Sequence, residues 1–228
     1  MLKNMDVFNS FCKIFDKCQV ITSDDNWKVS ESNQQASFKT LVIQNTGNKF
    51  YSIENSTYKN MTCITQKSSF FEDKDCDGVA LTEIEGKTIF ILSELKSSLD
   101  SCDILKAYKQ IVFTYLKLYM MLSLCQGFDV DDWIIIGIIA CHPPKNDDQK
   151  TQLYLEYLNI EEGTSKLDVK YLLRLLFEKK IETSLGKINF VQNIPFNEQL
   201  KNLKISLYLK TSDSINDSSS TFDLSCIV

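Results

Sequence analysis

Apolar residues recur along this chain with two different periods. Val7, Phe11, Ile14 and Phe15 keep helical spacing. So do Ile104, Tyr108, Ile111, Tyr115, Leu118 and Leu122, which predict a longer helix, capped by Asp100 or Ser101 and running to about Gln126 before Gly127. Between Cys76 and Ser98 the chain reads CDGVALTEIEGKTIFILSELKSS. Two apolar runs, Val79 to Glu85 and Thr88 to Leu95, flank a Glu-Gly-Lys step and predict a hairpin. The run Trp133 to Cys141 is apolar throughout and reads as a buried strand stopped by Pro143-Pro144. LKISLYLK alternates as a strand, and Phe222, Leu224, Cys226 and Val228 alternate as a last one.

The remaining stretches give weaker patterns. Thr22 to Gln35 is polar and reads as loop. KFYSIEN and MTCITQ read as strands, whereas FKTLVIQ fits the end of a helix or a strand. Lys150 to Ile160 and KINFVQN read as strands. Ser165 to Asp168 forms a capping-box pattern that opens a helix to about Lys180, and Thr211 to Ser220 reads as a loop. Together these predict one α/β domain, a mixed β-sheet flanked by helices. Its strand–strand–helix–strand core covers residues 75–142, and residues 150–228 form an α/β extension packed on that core.

Composition narrows the function classes. The 228 residues are 43% hydrophobic and 24% charged, which is ordinary for a globular chain. No secretory signal pattern and no apolar run long enough to span a bilayer is visible, so a cytoplasmic location without a membrane partner is expected. The 8 cysteines are scattered, several inside apolar runs, and predict free thiols. Without Cys-x-x-Cys, and with His142 the single histidine, structural zinc is not expected. Net charge is −5, and Arg174 is the lone arginine among 25 basic residues. That speaks against a uniformly basic nucleic-acid binder and against extended guanine readout.

The hairpin carries the candidate chemistry. A two-residue turn at Glu85-Gly86 pairs Ile84 with Lys87 and sets Asp77 opposite Glu94; a Gly86-Lys87 turn would set Asp77 opposite Lys96. Lys96 shares a face with Glu94 because strand side chains two apart point the same way. Two close carboxylates repel unless a cation lies between them, and a hard divalent ion takes oxygen ligands. A lysine beside them can orient or deprotonate a water and stabilise charge on a phosphoryl group.

Asp77, a hairpin, then Glu94-Leu95-Lys96 and a helix resemble the PD-(D/E)xK nuclease superfamily. The resemblance implies a restriction-endonuclease-like core and hydrolysis of DNA phosphodiesters. It implies Mg²⁺ or Mn²⁺ held by Asp77, Glu94 and the Leu95 carbonyl, Lys96 serving the water, and Gln110 on the following helix near the site. Cys76 stands where the motif has proline. Lys87, Lys106, Lys109 and Lys117 would supply local positive charge to DNA. More loosely, the chain resembles nuclease subunits of prokaryotic antiphage systems. This implies a helicase or ATPase partner. An RNA or oligonucleotide phosphodiesterase with the same site is a further reading, and a homodimer a further expectation.

Blander readings compete. Glu94 and Lys96 fit a surface ion pair, Gln110 fits a helix-surface residue, and Asp75 would share the face of Asp77. The rival function is a catalytically inactive nuclease-like module that acts as an assembly subunit of a larger nucleic-acid-processing complex.

Overall fold

The computed structural model describes residues 5–15, 20–59, 75–161, 174–192 and 194–227. Its strands are β1 (Val20–Ser30), β2 (Thr40–Ile53), β3 (Gly78–Ile84), β4 (Lys87–Lys96), β5 (Trp133–Cys141), β6 (Lys180–Ser184), β7 (Lys204–Thr211) and β8 (Ser219–Asp223). The helices are α1 (Met5–Ile14), α2 (Asn55–Lys59), α3 (Ser101–Leu122), α4 (Asp147–Glu161), α5 (Asn189–Gln192) and α6 (Glu198–Asn202). All the described strands join one mixed eight-stranded sheet in the order β1-β2-β3-β4-β5-β7-β6, with β8 pairing β2. The α/β mixed-sheet architecture expected from the sequence is the one observed. No described helix is long and apolar enough to cross a membrane.

Glu85 and Gly86 both have positive φ, 51° and 77°. This is the two-residue turn whose twist suits a hairpin, and it selects between the two registers open to the sequence. Ile84 pairs with Lys87, and the register runs unbroken to Gly78 opposite Ser93. β4, β5 and β7 are parallel to one another, so Lys96, Cys141 and Thr211 end side by side. α3 is the crossover between β4 and β5, as parallel pairing requires.

Strand alternation sorts the core into two layers. Val79, Leu81, Phe90 and Leu92 face α3 and meet Ile104, Tyr108 and Ile111. Ala80, Ile89, Ile91 and Leu95 face the other way, against Trp27, Val29, Leu41 and Ile43 from β1 and β2. The six stripe residues expected on α3 are all buried, and Ala107, Val112 and Leu116 are buried too. A helix apolar on most of its circumference is one enclosed on most sides. Gly137 of β5 permits this: a Cβ there would lie 2.6 Å from Leu207 and 2.9 Å from Ile111.

Several sequence expectations are corrected. Thr22 to Gln35 is not all loop, because β1 runs through it with Trp27 and Val29 buried among exposed polar residues. Lys150 to Ile160 is helical, not extended: the Asn146 side chain caps α4 by accepting from the Gln149 N–H at 2.9 Å, and Asp147 and Asp148 favour a helix N-terminus. Within KINFVQN, Lys187 ends a 3-10 turn and Asn189–Gln192 form α5, with Ile188 and Val191 buried; Asn193 lies outside the described residues. α3 ends at Leu122, short of Gln126, where Leu124 and Cys125 bond back three residues instead of four. After β8 the chain turns into a 3-10 helix at Leu224–Cys226. Thr40 to Gln44 of FKTLVIQ and Lys49 to Ile53 of KFYSIEN belong to one strand, β2. MTCITQ and the capping box at Ser165 lie outside the described residues. Cys76, Cys102, Cys125, Cys141 and Cys226 are free thiols.

Candidate functional site

Extending the hairpin register one step beyond Gly78 and Ser93 sets Asp77 opposite Glu94. The two acids are tied reciprocally. The Asp77 N–H donates to Glu94 Oε2 at 3.0 Å, and the Leu95 N–H donates to Asp77 Oδ2 at 2.8 Å. The Asp77 carbonyl accepts from Asn55 Nδ2 at 2.8 Å, and the Tyr58 hydroxyl bonds both Asn55 and the Cys76 carbonyl. α2 therefore clamps the segment just before β3.

Lys96 completes the row. Its Nζ donates to Glu94 Oε1 at 2.6 Å and to Gln110 Oε1 at 2.8 Å. Gln110 in turn donates from Nε2 to the Asp75 carbonyl at 2.9 Å. One α3 side chain thus bridges the end of β4 and the approach to β3. Four residues on, Thr114 Oγ1 accepts from the Cys76 N–H at 2.9 Å; three further, Lys117 Nζ lies 2.7 Å from Asp75 Oδ1. Spacing of four and three places Gln110, Thr114 and Lys117 on one helix face.

Burial sets the electrostatics. Glu94 is only 2% exposed, and its pKa is pushed up to about 8, first by burial and then by the Asp77 charge, with Lys96 pulling it down. The Tyr58 hydroxyl is raised by burial and by the thiol and carboxyls around it, Asp75, Asp77 and Glu94 among them. Three carboxyls and two lysines, Lys96 and Lys117, thus meet at the strand ends.

No group of three or more His, Cys, Asp or Glu side chains converges as a metal cage among the described residues. The row offers instead two carboxylates on neighbouring strands, each accepting a backbone N–H from the other's strand. In a strand a residue's N–H and C=O point toward the same neighbour, so the Leu95 carbonyl faces the Asp77 side, where its N–H already bonds. Two carboxylates and a carbonyl are an oxygen-only set that fits a hard divalent cation.

The sequence-derived positions fare differently. Asp77, Glu94, Leu95, Lys96 and Gln110 come together in one bonded row. Asp75, which the sequence left in competition with Asp77, aims its carboxylate at Lys117 and away from the row. Lys117 is a correction: its side chain is 0% exposed and ion-paired inside the protein, so it presents no charge to nucleic acid. Lys87 is exposed at the hairpin turn, about 30 Å along β4 from Lys96, and is no neighbour of the site. Lys106 is exposed beside Asp103, and Lys109 lies 5.8 Å from the centre of the Phe190 ring. Sequence reasoning missed Asn55, Tyr58 and Thr114. Of these only Thr114 had a legible signal, its spacing from Gln110. No protein-family model, curated protein or solved structure matches this chain.

Proposed function

We propose that this chain is a metal-dependent nuclease of the PD-(D/E)xK type that hydrolyses DNA phosphodiester bonds. The observation that carries the reading is the bonded row Asp77–Glu94–Lys96–Gln110 at the ends of an antiparallel and a parallel strand pair. Asp77, Glu94 and the Leu95 carbonyl would hold Mg²⁺ or Mn²⁺. When bound, such an ion supplies Lewis-acid stabilisation of the phosphoryl oxygens and lowers the pKa of a water.

The side chains account for the rest. Lys96 spends two of its three N–H donors on Glu94 and Gln110, which fixes the ammonium and leaves one donor to aim at the attacking water or a phosphate oxygen. An ammonium held beforehand needs no reorganisation as charge develops. Gln110 is a positioning residue, because it acts on substrate only through Lys96. Glu94, whose burial favours its protonated form, would give up that proton to serve as a cation ligand.

The rival reading, an assembly module without activity, draws on the acidic balance of the chain and the loss of Lys117 from the surface. A nicking assay on supercoiled plasmid with Mn²⁺ separates the two. Cleavage by wild type that disappears in Glu94→Gln supports the nuclease; intact plasmid with every divalent metal, with and without a helicase or ATPase partner, supports the module.

A further inference from the structure

The row does not end at Lys96. β4, β5 and β7 run parallel and stop together, and ligands of such sheets sit outside the carboxyl ends of the strands. Beyond those ends lies a cavity of about 420 Å³, walled by Leu99, Leu153 and Phe177 and edged by Lys150, Lys179 and Asp147. Leu99, three residues after Lys96, is the lining residue that follows the row most directly along the chain. Lys179 acts on the Cys141 thiol, and Cys141 is the β5 partner of Lys96.

Two features mark this cavity as a ligand seat. Neither the Lys150 nor the Lys179 ammonium belongs to an ion pair among the described residues. Lys179 also has φ 63°, a left-handed conformation at a helix end where glycine is the usual residue. A lysine kept there bears backbone strain of the sort that collects at functional positions.

Resting on the nuclease reading for its choice of ligand, we infer that this cavity seats one unpaired nucleotide next to the scissile phosphate. Leu99, Leu153 and Phe177 would hold the base, and Lys179 and Lys150 the flanking phosphate. The volume falls in the range of roughly 300–1,000 Å³ of small-molecule sites. That is of the order of one nucleotide. Apolar and aromatic walls with lysines at the rim are what single-stranded nucleic acid requires. The substrate class is therefore single-stranded DNA, or a duplex end that frays.

The test measures fluorescence anisotropy in EDTA, where cleavage is silent, on a labelled single strand and a blunt hairpin duplex. Wild type should bind the single strand at least about 10-fold more tightly. Phe177→Ala and Lys179→Asn should each weaken single-strand binding by about 5-fold or more and leave duplex binding unchanged. Asparagine tolerates a positive φ, so Lys179→Asn removes the charge without disturbing the turn. Equal affinity for the two DNAs, or unchanged affinity in Lys179→Asn, overturns the seat. If these variants lose single-strand affinity while wild type cuts nothing, the seat stands and the nuclease reading fails. If plasmid is cut while Lys179→Asn binds single strands as wild type does, the seat fails and the nuclease stands. Tighter binding of an RNA strand than of DNA keeps the seat and reassigns its sugar.

Discussion

Lys117 Nζ lies 2.7 Å from Asp75 Oδ1, and neither side chain has more than 2% of its surface exposed. This ion pair pins the segment before β3 to α3, and the Gln110 bond to the Asp75 carbonyl lies next to it. A buried pair of this kind stabilises little relative to an apolar replacement, but breaking it strands one charge. Lys117→Met should destabilise the protein by about 3–5 kcal/mol in urea unfolding. The double variant Lys117→Met with Asp75→Asn should recover part of that loss.

The acids and the lysine should separate in their effects. Asp77→Ala or Glu94→Gln should abolish both Mn²⁺ binding in calorimetry and plasmid cleavage. Lys96→Ala should retain metal binding, since it removes a cation from beside two carboxylates, and lose cleavage by about 10²-fold or more. Loss of metal binding in Lys96→Ala would count against the assigned roles.

Gln110→Leu should lower kcat by about 10-fold with KM nearly unchanged, because the ammonium of Lys96 loses an acceptor. Gln110→Glu, which keeps an oxygen acceptor for Lys96, should restore part of the rate. Equal effects of both variants on stability, with kcat unmoved, would reduce Gln110 to a strut.

Glu94 titrates near 4.5 when unfolded and about 8 when folded. Between those values the folded state binds more protons than the unfolded one, so stability falls as pH rises and levels off above the folded pKa. The Glu94→Gln variant should lack this slope in denaturation measured from pH 5 to 9. Mn²⁺ affinity should climb with pH over the same window, with proton release visible as buffer-dependent heats in calorimetry.

Lys106→Glu and Lys109→Glu should weaken DNA binding and each flatten its salt dependence by about one unit of slope. Lys87→Glu, at the far end of β4, should do neither. Anisotropy titrations at several salt concentrations measure both quantities.

What the sequence by itself determined was local. The hairpin, its turn residues and the parity that puts Asp77, Glu94 and Lys96 on one face follow from the two-residue strand period and the Glu-Gly step. The core stripe of α3 follows from its helical period. Where local patterns were ambiguous, packing decided. Residues 150–160 alternate well enough for a strand, yet the Asn146 cap and the burial of Leu153 make them helix. β1 looked like loop because most of its side chains are polar and exposed; its pairing with β2 and the burial of Trp27 and Val29 order it. The site itself divides the same way. Only tertiary structure separated Asp75 from Asp77, two residues apart on a nominally common face, because the partner of Asp75 is 42 residues away. The same contact took Lys117 out of solvent, since no local rule tells a lysine on a helix whether a buried carboxylate waits opposite.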